Sequence, residues 1–255
     1  MHESPSVSVV VPFFNRRQSL AACIEALLGQ DSIGGPVQVI LVDNGSSDDS
    51  RAVIARYPEV TALAEATPGA YAARNTGIRH ARAPIIAFTD ADCVVERDWL
   101  RAVCDGMRDP SVAVEVGASR YPSNASPTLK LLAAYENAKA EYVATRCPPM
   151  NHFAYANNMA VRASVVAELG PFLEWDRAAD TEFVHRVAAR RPDLRLAFNP
   201  AMRVTHLEFV RFRDRAGRLS LYTQTNSRIA SFRELTVRQR AGVLWHLARG
   251  VVVSR

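Results

Sequence analysis

The sequence has few cysteines and no long apolar run, and each shortage excludes a class of protein. The four cysteines are Cys23, Cys93, Cys104 and Cys147. They form no CxxC pair, and the N-terminus lacks a charged segment leading into an apolar stretch. No apolar run approaches the roughly 20 residues that a membrane-spanning helix needs. We therefore expect a cytoplasmic protein with reduced thiols and without a spanning helix.

Lysine is also scarce, since it occurs twice in 255 residues, and arginine carries most of the positive charge. Residues 203–255 hold eleven arginines against three acidic residues, a net charge of +8, whereas the whole chain has +5. Such a basic end suggests an anionic partner, either phospholipid head groups or a lipid-linked phosphate. The alternative interpretation is a solvated, arginine-rich helix. We expect no nucleic-acid partner.

Apolar runs in the first half alternate with stretches of helical periodicity. Strands are predicted at 7–11, 37–42, 60–64 and 85–89, and helices at 20–28, 49–57 and 70–81. This alternation indicates an α/β fold with a Rossmann-like, mainly parallel central sheet flanked by helices. In such sheets ligands bind at the carboxyl ends of the strands.

The second half is predicted to mix extended segments with longer helices. Extended segments are expected at 111–118, 155–162, 194–198 and 203–206, and helices at 127–144, 180–189 and beyond 215. An apolar stripe then runs through Val237, Ala241, Leu244, Ala248 and Val251, opposite Arg238, Arg240 and Arg249. We predict one domain over 1–215, made of two halves that meet at about residue 110. A basic helical extension follows over 216–255.

Polar side chains follow three of the predicted strands directly, and the pair Asp90 and Asp92 is the most informative. Two carboxylates one residue apart at a strand end can face the same hard cation, and Mg²⁺ often completes its shell with substrate phosphates. A DxD pair alone is weak evidence, because such spacing is common in turns. Its position after a buried strand strengthens the prediction of a metal site.

Two nucleotide-binding motifs are missing. A dehydrogenase should carry GxGxxG after its first strand, where this chain has PFFN, and a P-loop nucleotidase should carry GxxxxGK[ST]. Both classes are therefore disfavoured.

Four segments, taken in order, resemble glycosyltransferase family 2, the inverting enzymes with the GT-A fold. They are VSVVVPFFNR at 7–16, VILVDNGSSD at 39–48, PGAYAARNTG at 68–77 and IAFTDAD at 86–92. Looser matches are NNMAVR at 157–162, LGPF at 169–172 and DTE at 180–182. The resemblance covers about residues 7–210 and implies a hexosyltransferase-type enzyme using Mg²⁺ or Mn²⁺. It also implies that the half to about residue 110 binds the nucleotide sugar and that the half over 111–215 binds the acceptor.

The resemblance also assigns roles to individual positions. The donor contacts that it implies are Pro12, Phe14, Asn15, Asp43, Arg74, Asp90 and Ala91. The metal contacts are Asp90, Asp92 and His206, and the acceptor side holds Asn157, Asn158 and Glu182. Asp180 would be the general base that removes the proton from the acceptor hydroxyl. Without the resemblance, core packing of Phe13 or Phe14 and helix capping by Asp180 are the simpler interpretations.

Two positions depart from the family pattern. Ala179 precedes Asp180 where the family commonly has an acid, and Asn44 stands where many members have a second Asp. These departures leave Glu182 or Asp176 as rivals of Asp180 for the role of base.

Several alternatives stay open at this stage. The donor is expected to be a UDP-sugar, with GDP or dTDP as other nucleotides, and the acceptor a saccharide, a lipid-linked saccharide or another hydroxyl compound. The arginine-rich end suits a peripheral membrane contact or a homodimer contact equally. A catalytically silent nucleotide-sugar-binding module and a sugar-1-phosphate nucleotidyltransferase are the rival functions.

Overall fold

The computed structural model describes residues 4–210 and 234–253. Its strands are β1 (Val7–Phe13), β2 (Val37–Asp43), β3 (Thr61–Ala64), β4 (Ile85–Thr89), β5 (Cys93–Val95), β6 (Val112–Arg120), β7 (Asn158–Arg162) and β8 (Arg195–His206). Its helices are α1 (Leu20–Leu28), α2 (Ser50–Ile54), α3 (Ala70–His80), α4 (Trp99–Gly106), α5 (Pro127–Arg146), α6 (Ala163–Leu169), α7 (Ala179–Arg190) and α8 (Val237–Val253). Within these ranges, no helix combines the length and hydropathy needed to cross a membrane.

All eight strands belong to one sheet, in the order β3-β2-β1-β4-β7-β6-β8-β5. The first four strands are parallel, as the alternation of strands and helices predicts. β7 then runs antiparallel between β4 and β6, and β8 lies parallel to β6. The change of direction at β4 and β7 separates the parallel strands from β7, β6 and β8 of the second half, and β5 of the first half pairs with β8 at the far edge.

The buried β1 strand anchors the parallel half. Every residue from Val7 to Phe13 is buried, because helices cover both faces of the sheet. Val9 and Val11 pack with α1 and α4, whereas Val10 faces α3. A Cβ on Gly77 would lie 2.3 Å from Val10 Cγ1, so this glycine lets α3 lie directly against β1.

The predicted α/β fold is confirmed, and the strands and helices of the first half lie close to their predicted positions. Three short elements, β5, α4 and α6, were not predicted. The extended segments 194–198 and 203–206 are parts of the single strand β8. The prediction of helix beyond 215 falls partly on residues 211–233, outside the described residues, as does the predicted domain boundary.

Helix α8 packs against α5 at the edge of the domain. A Cβ on Gly242 would lie 2.3 Å from Tyr142 Oη, and Val243 is fully buried. His246 Nε2 lies 3.0 Å from Glu141 Oε2. These contacts fix which face of α8 is turned towards the protein.

Candidate active site

Two adjoining cavities open where the parallel strands end. The smaller, of about 200 Å³, is lined by Pro12, Phe13, Phe14, Arg16, Asn44, Ala70, Arg74, Asp90, Ala91 and Asp92. The larger, of about 300 Å³, is lined by Ala70, Tyr71, Arg74, Asp90, Gly117, Ser119, Tyr121, Ala133, Glu136, Asn137, Ala140, Tyr155, Ala156, Asn157, Asp176, Arg177, Ala178, Asp180 and His206. Three residues, Ala70, Arg74 and Asp90, line both, so the cavities form one recess.

The two carboxylates of the DxD pair have different surroundings. The Asp90 side chain is 32% exposed and faces both cavities, whereas that of Asp92 is 7% exposed. Arg74 Nη2 lies 2.5 Å from Asp90 Oδ1. The Arg74 guanidinium also lies over the ring of Tyr71, 5.2 Å from its centroid. Helix α3 therefore brings a fixed positive charge to the carboxylate corner.

The short strand β5 places His206 beside Asp92. Cys93 pairs with His206 in the antiparallel β5–β8 ladder, and the Leu207 backbone N–H donates to the Asp92 carbonyl at 2.8 Å. His206 Nε2 lies 3.8 Å from Asp92 Oδ1. Phe209 packs on the imidazole, with ring centroids 4.6 Å apart. The predicted neighbours Asp92 and His206 are thus brought together by backbone pairing.

The electrostatic setting of Asp92 favours a cation. Burial raises the pKa of Asp92 to about 7, and the charge of Asp90 adds to this rise, while Arg16 opposes it. Arg16 Nη2 lies 3.3 Å from Asp92 Oδ2, and Arg16 Nη1 lies 3.6 Å from Glu208 Oε1. Arg16 therefore bridges two carboxylates, those of Asp92 and Glu208, at this corner.

The residues at this corner fit a divalent ion. Ligand atoms of Asp92, Cys93 and His206 lie within 4.8 Å of one another. Burial raises the pKa of the Cys93 thiol well above its usual value, and sulfur is a softer ligand than Mg²⁺ or Mn²⁺ prefers. The remaining oxygen and imidazole donors suit Mg²⁺ or Mn²⁺ when phosphate oxygens complete the shell.

Asp180 lies in the first turn of α7 and lines the larger cavity. Its Oδ2 accepts from the Ala156 backbone N–H and its Oδ1 from that of Thr181, each at 2.9 Å. Burial raises the pKa of Asp180 above its ordinary value, although these bonds and Arg74 oppose the rise. A held carboxylate with a raised pKa is a suitable proton acceptor.

The backbone just before Asp180 is strained. Ala178 has φ of 64°, in the left-handed region that alanine rarely adopts, and it also lines the larger cavity. Among the described residues, the other non-glycine residue with positive φ is Asn15, at 52°. Ala178 lines the recess and Asn15 is next to Phe14 and Arg16, which line it. Unusual backbone conformations often occur at functional sites.

The turn after β2 is held by its own side chains. Asp43 is buried, its Oδ1 accepts from the Ser46 backbone N–H at 2.8 Å, and its other oxygen pairs with Arg51. Burial pushes the pKa of Asp43 upwards, but the bonds from Ser46 and Arg51 outweigh it and leave the pKa below its usual value. Asn15 Oδ1 accepts from the backbone N–H of Ser47 and Asp48. Neither Asp43 nor Asn15 lines the two cavities.

A family model described as glycosyl transferase family 2 matches residues 8–170. The chain belongs to this family. Glycosyltransferase AglE of Haloferax volcanii is 29% identical over 66% of this chain and 56% of its own length. The pre-mycofactocin glycosyltransferase of Mycobacterium tuberculosis is 27% identical over 85% of this chain and 46% of its own length. The chain thus spans about half the length of these curated relatives.

Solved structures with low sequence identity confirm the GT-A fold. Mannosyltransferase PcManGT from Pyrobaculum calidifontis, in complex with GDP-Man and Mn²⁺, has a TM-score of 0.66 and 20% identity. The likeness covers 99% of this chain and 75% of that one. S. aureus TarS 1-349 in complex with UDP-GlcNAc has a TM-score of 0.65 and 13% identity, over 94% and 70% of the two chains.

The family motifs place most of the predicted donor residues at the recess. Pro12, Phe14, Arg74, Asp90 and Ala91 line the smaller cavity. Phe14 is 56% exposed at its rim, whereas its neighbour Phe13 is 3% exposed and packs in the core. The core-packing interpretation therefore applies to Phe13.

The predicted acceptor residues are divided. Asn157 lines the larger cavity, but Asn158 is buried behind it. Asn158 Nδ2 donates to the carbonyls of Ala118 and Met202, and its Oδ1 accepts from Trp99 Nε1. Glu182 pairs with Arg186 at 2.9 Å. The structure does not bring the side chains of Asn158 and Glu182 to the recess.

Several lining residues, among them Tyr71, Arg16 and Asn44, were given no site role from the sequence. Tyr71 precedes Arg74 by three residues on α3, a spacing that puts both on one helix face. Arg16 follows Asn15 inside the first motif, and this position was the sequence feature that could have identified it as a site residue. Asn44 Nδ2 donates to the carbonyls of Glu65 and Thr67, while its Oδ1 accepts from the Gly69 N–H. The Asn44 amide thus both donates and accepts, which a carboxylate at this position could not do.

Proposed function

We propose that this family 2 chain is an inverting glycosyltransferase that moves a sugar from a UDP-sugar to an acceptor hydroxyl, with Mg²⁺ or Mn²⁺ held by Asp90, Asp92 and His206. The observation that carries the proposal is that Asp90 and Asp180 line the same cavity. A donor diphosphate at the carboxylate corner and an acceptor hydroxyl at Asp180 would therefore meet in one recess.

Asp180 is the proposed general base. The acceptor oxygen attacks the anomeric carbon while Asp180 takes its proton, and the bond between that carbon and the nucleotide diphosphate breaks. A single displacement inverts the stereocentre. The backbone donors at Ala156 and Thr181 hold the carboxylate in place for this step.

Fixed cations would receive the leaving diphosphate. A bound divalent ion supplies Lewis-acid neutralisation of the charge that develops on the diphosphate. Arg74 supplies a second positive charge, and its buried position beside Asp90 keeps its orientation. Phe14 offers an exposed ring at the rim on which a nucleotide base can stack.

The solved relatives support a nucleotide-sugar donor. PcManGT was solved with GDP-Man and Mn²⁺, and TarS with UDP-GlcNAc. A thermal-shift panel of UDP-, GDP- and dTDP-sugars, each with and without Mn²⁺, would identify the donor, because a ligand of the folded state raises the melting temperature. A GDP-sugar giving the largest metal-dependent shift would replace the UDP assignment.

Substitution of Asp180 by Asn tests the function itself. Turnover should fall by at least ~100-fold, the usual range for a lost general base, while donor affinity stays unchanged. Asp176→Asn and Glu182→Gln serve as matched controls, since these carboxylates were the rivals for the role. If one of these control variants loses all activity while Asp180→Asn keeps it, the role of general base would pass to the residue changed in that control. Donor binding by the wild type without any sugar transfer would favour the catalytically silent binding module. Release of pyrophosphate from a nucleoside triphosphate would favour the nucleotidyltransferase.

The outer face of α8 supports an acceptor at the inner face of a membrane. Val237, Leu244 and Trp245 are 86%, 58% and 66% exposed, on the side turned away from α5. The exposed side chains of Arg238 and Arg240 flank this apolar stripe, as in helices that lie on anionic lipid. The side chains of Arg249 and Val251 lie outside the described residues.

Vesicle sedimentation tests this membrane contact. The protein should bind vesicles of phosphatidylcholine mixed with phosphatidylglycerol more strongly than phosphatidylcholine alone, and Leu244→Glu should abolish the difference. Leu28→Glu, at an exposed leucine of α1, is the matched control. If the wild type does not bind vesicles but forms dimers, and Leu244→Glu dissociates these dimers, the stripe would be assigned to a homodimer contact.

A further inference from the structure

The side chain of Arg16 reaches the carboxylate corner that Asp92 and His206 form. Its guanidinium bridges Asp92, at 3.3 Å, and Glu208, at 3.6 Å. These distances are longer than the 2.5 Å between Arg74 and Asp90. The Arg16 side chain is 33% exposed, whereas that of Arg74 is 6% exposed. One arginine at this site is therefore tightly held and the other loosely held.

The backbone of Arg16 is fixed, so movement is confined to its side chain. Its N–H donates to Ser50 Oγ at 2.9 Å, and its carbonyl accepts from the N–H groups of Ser19 and Leu20. Arg16 also lines the smaller cavity beside Arg74 and Phe14. Its guanidinium can thus leave Asp92 and still remain within the same recess.

The Arg16 guanidinium and a metal ion would compete for the Asp92 carboxylate. Asp92 is nearly buried, and a metal ion that binds its carboxylate must enter the space next to the guanidinium. Two positive charges this close repel each other strongly where water is scarce. Because Arg16 pairs only loosely with Asp92 and Glu208, its side chain is the group that moves away when a metal ion binds.

We propose that Arg16 is a built-in counter-cation, which neutralises Asp92 and Glu208 before a divalent ion binds and turns towards the donor diphosphate when the ion displaces it. This inference rests on the proposed metal-dependent function. Arg16 would weaken binding of the metal alone and strengthen binding of the donor once the metal is present, because a guanidinium suits phosphate oxygens. The corner then favours metal and donor arriving together.

Titration with Mn²⁺ alone tests the proposal independently of enzymatic activity. Binding is measured as the loss of the electron-paramagnetic-resonance signal of free Mn²⁺. Arg16→Gln should bind Mn²⁺ about tenfold more tightly than the wild type, and Arg16→Lys should resemble the wild type because it keeps the charge. Arg17→Gln is the matched control: it removes the same charge one residue away, where Arg17 pairs with Asp49 on the surface. In saturating Mn²⁺, Arg16→Gln should bind UDP about tenfold more weakly.

The outcomes separate this inference from the function on which it rests. Equal Mn²⁺ affinity for Arg16→Gln, Arg17→Gln and the wild type would overturn the role of Arg16 while leaving the metal site intact. Tighter Mn²⁺ binding in Arg16→Gln that disappears in the double variant with Asp92→Asn supports it. Absence of Mn²⁺ binding from both the wild type and Arg16→Gln would contradict the metal site, and this inference with it.

Discussion

Asn75 and Phe172 exchange two hydrogen bonds across the core, although 97 residues separate them in the chain. Asn75 Nδ2 donates to the Phe172 carbonyl at 2.9 Å, and the Phe172 N–H donates to Asn75 Oδ1 at 3.1 Å. The Phe172 ring packs edge-on against Phe88 and Phe183. Helix α3, which carries Arg74, is thereby tied to the segment that leads to Asp180.

Replacement of Asn75 by Asp should therefore be costly. The new carboxylate cannot donate to the Phe172 carbonyl, and it would face Glu174 Oε1, which lies 3.4 Å from Asn75 Nδ2. We expect the free energy of unfolding to fall by about 3 kcal/mol in urea denaturation, as for a buried charge that loses its partner. Asn124→Asp, at an exposed position, should change it by less than ~0.5 kcal/mol. Equal losses in the two variants would show that the bridge contributes nothing.

The parallel half of the fold could be predicted from the sequence because three of its four strands, β1, β2 and β4, are fully or largely buried. Val7 to Val11 forms an unbroken β-branched run, and the spacing of Leu20, Ile24 and Leu27 is helical. Helices α4 and α6 were missed because they are short, with eight and seven residues, and α6 follows β7 without a gap. Strand β5 has three residues, too few to show an alternating pattern, and its pairing with β8 is a tertiary event.

The site was predictable where the chemistry follows a strand directly, as at Asp90 and Asp92. It was not predictable where side-chain direction decides the outcome. Asn157 and Asn158 are adjacent and identical in type, yet one faces the cavity and the other the core. Local periodicity gives that alternation, but only the position of β7 between β4 and β6 decides which of the two faces the recess.

The hydrogen bonds of Asn158 predict a structural effect on substitution. In Asn158→Asp, an oxygen would replace the amide nitrogen that donates to the carbonyls of Ala118 and Met202, at 2.9 and 2.8 Å. Repulsion in the core should lower the free energy of unfolding by about 3 kcal/mol or more. Asn157→Asp, the adjacent control at the cavity, should leave stability nearly unchanged. If Asn158→Asp keeps the stability of the wild type and loses only affinity for the acceptor, Asn158 would have the acceptor-binding role after all.

The left-handed backbone of Ala178 predicts a trade between stability and activity. Glycine adopts φ of 64° without the Cβ clash, so Ala178→Gly should raise the free energy of unfolding by roughly 1 kcal/mol. The same change at Ala189, exposed within α7, should lower it by about 1 kcal/mol. Loosening the chain before Asp180 should reduce kcat with little change in donor affinity. Equal effects of the two glycine substitutions on denaturation would show that Ala178 carries no strain.

Glu115 gives the protein a predicted pH dependence of stability that is separate from the site. It is 1% exposed on β6, its Oε1 accepts from Asn199 Nδ2 at 2.9 Å, and its Oε2 has no hydrogen-bond partner among the described residues. A Cβ on Gly106 would lie 1.6 Å from Glu115 Oε1, so the glycine makes room for this carboxyl. Burial raises the pKa of Glu115 from 4.5 to about 7.

Because the pKa of Glu115 is higher in the folded than in the unfolded state, the folded protein binds an extra proton between pH 4.5 and about 7. Raising the pH through this window must therefore lower the free energy of unfolding, by up to ~3 kcal/mol for this group. Glu115→Gln mimics the protonated form, so it should match the wild type near pH 4.5 and exceed its stability at pH 8. Urea denaturation across this range measures the difference, with the exposed Glu59→Gln as control. A stability difference between Glu115→Gln and the wild type that does not change with pH would mean that the buried carboxyl is not the titrating group.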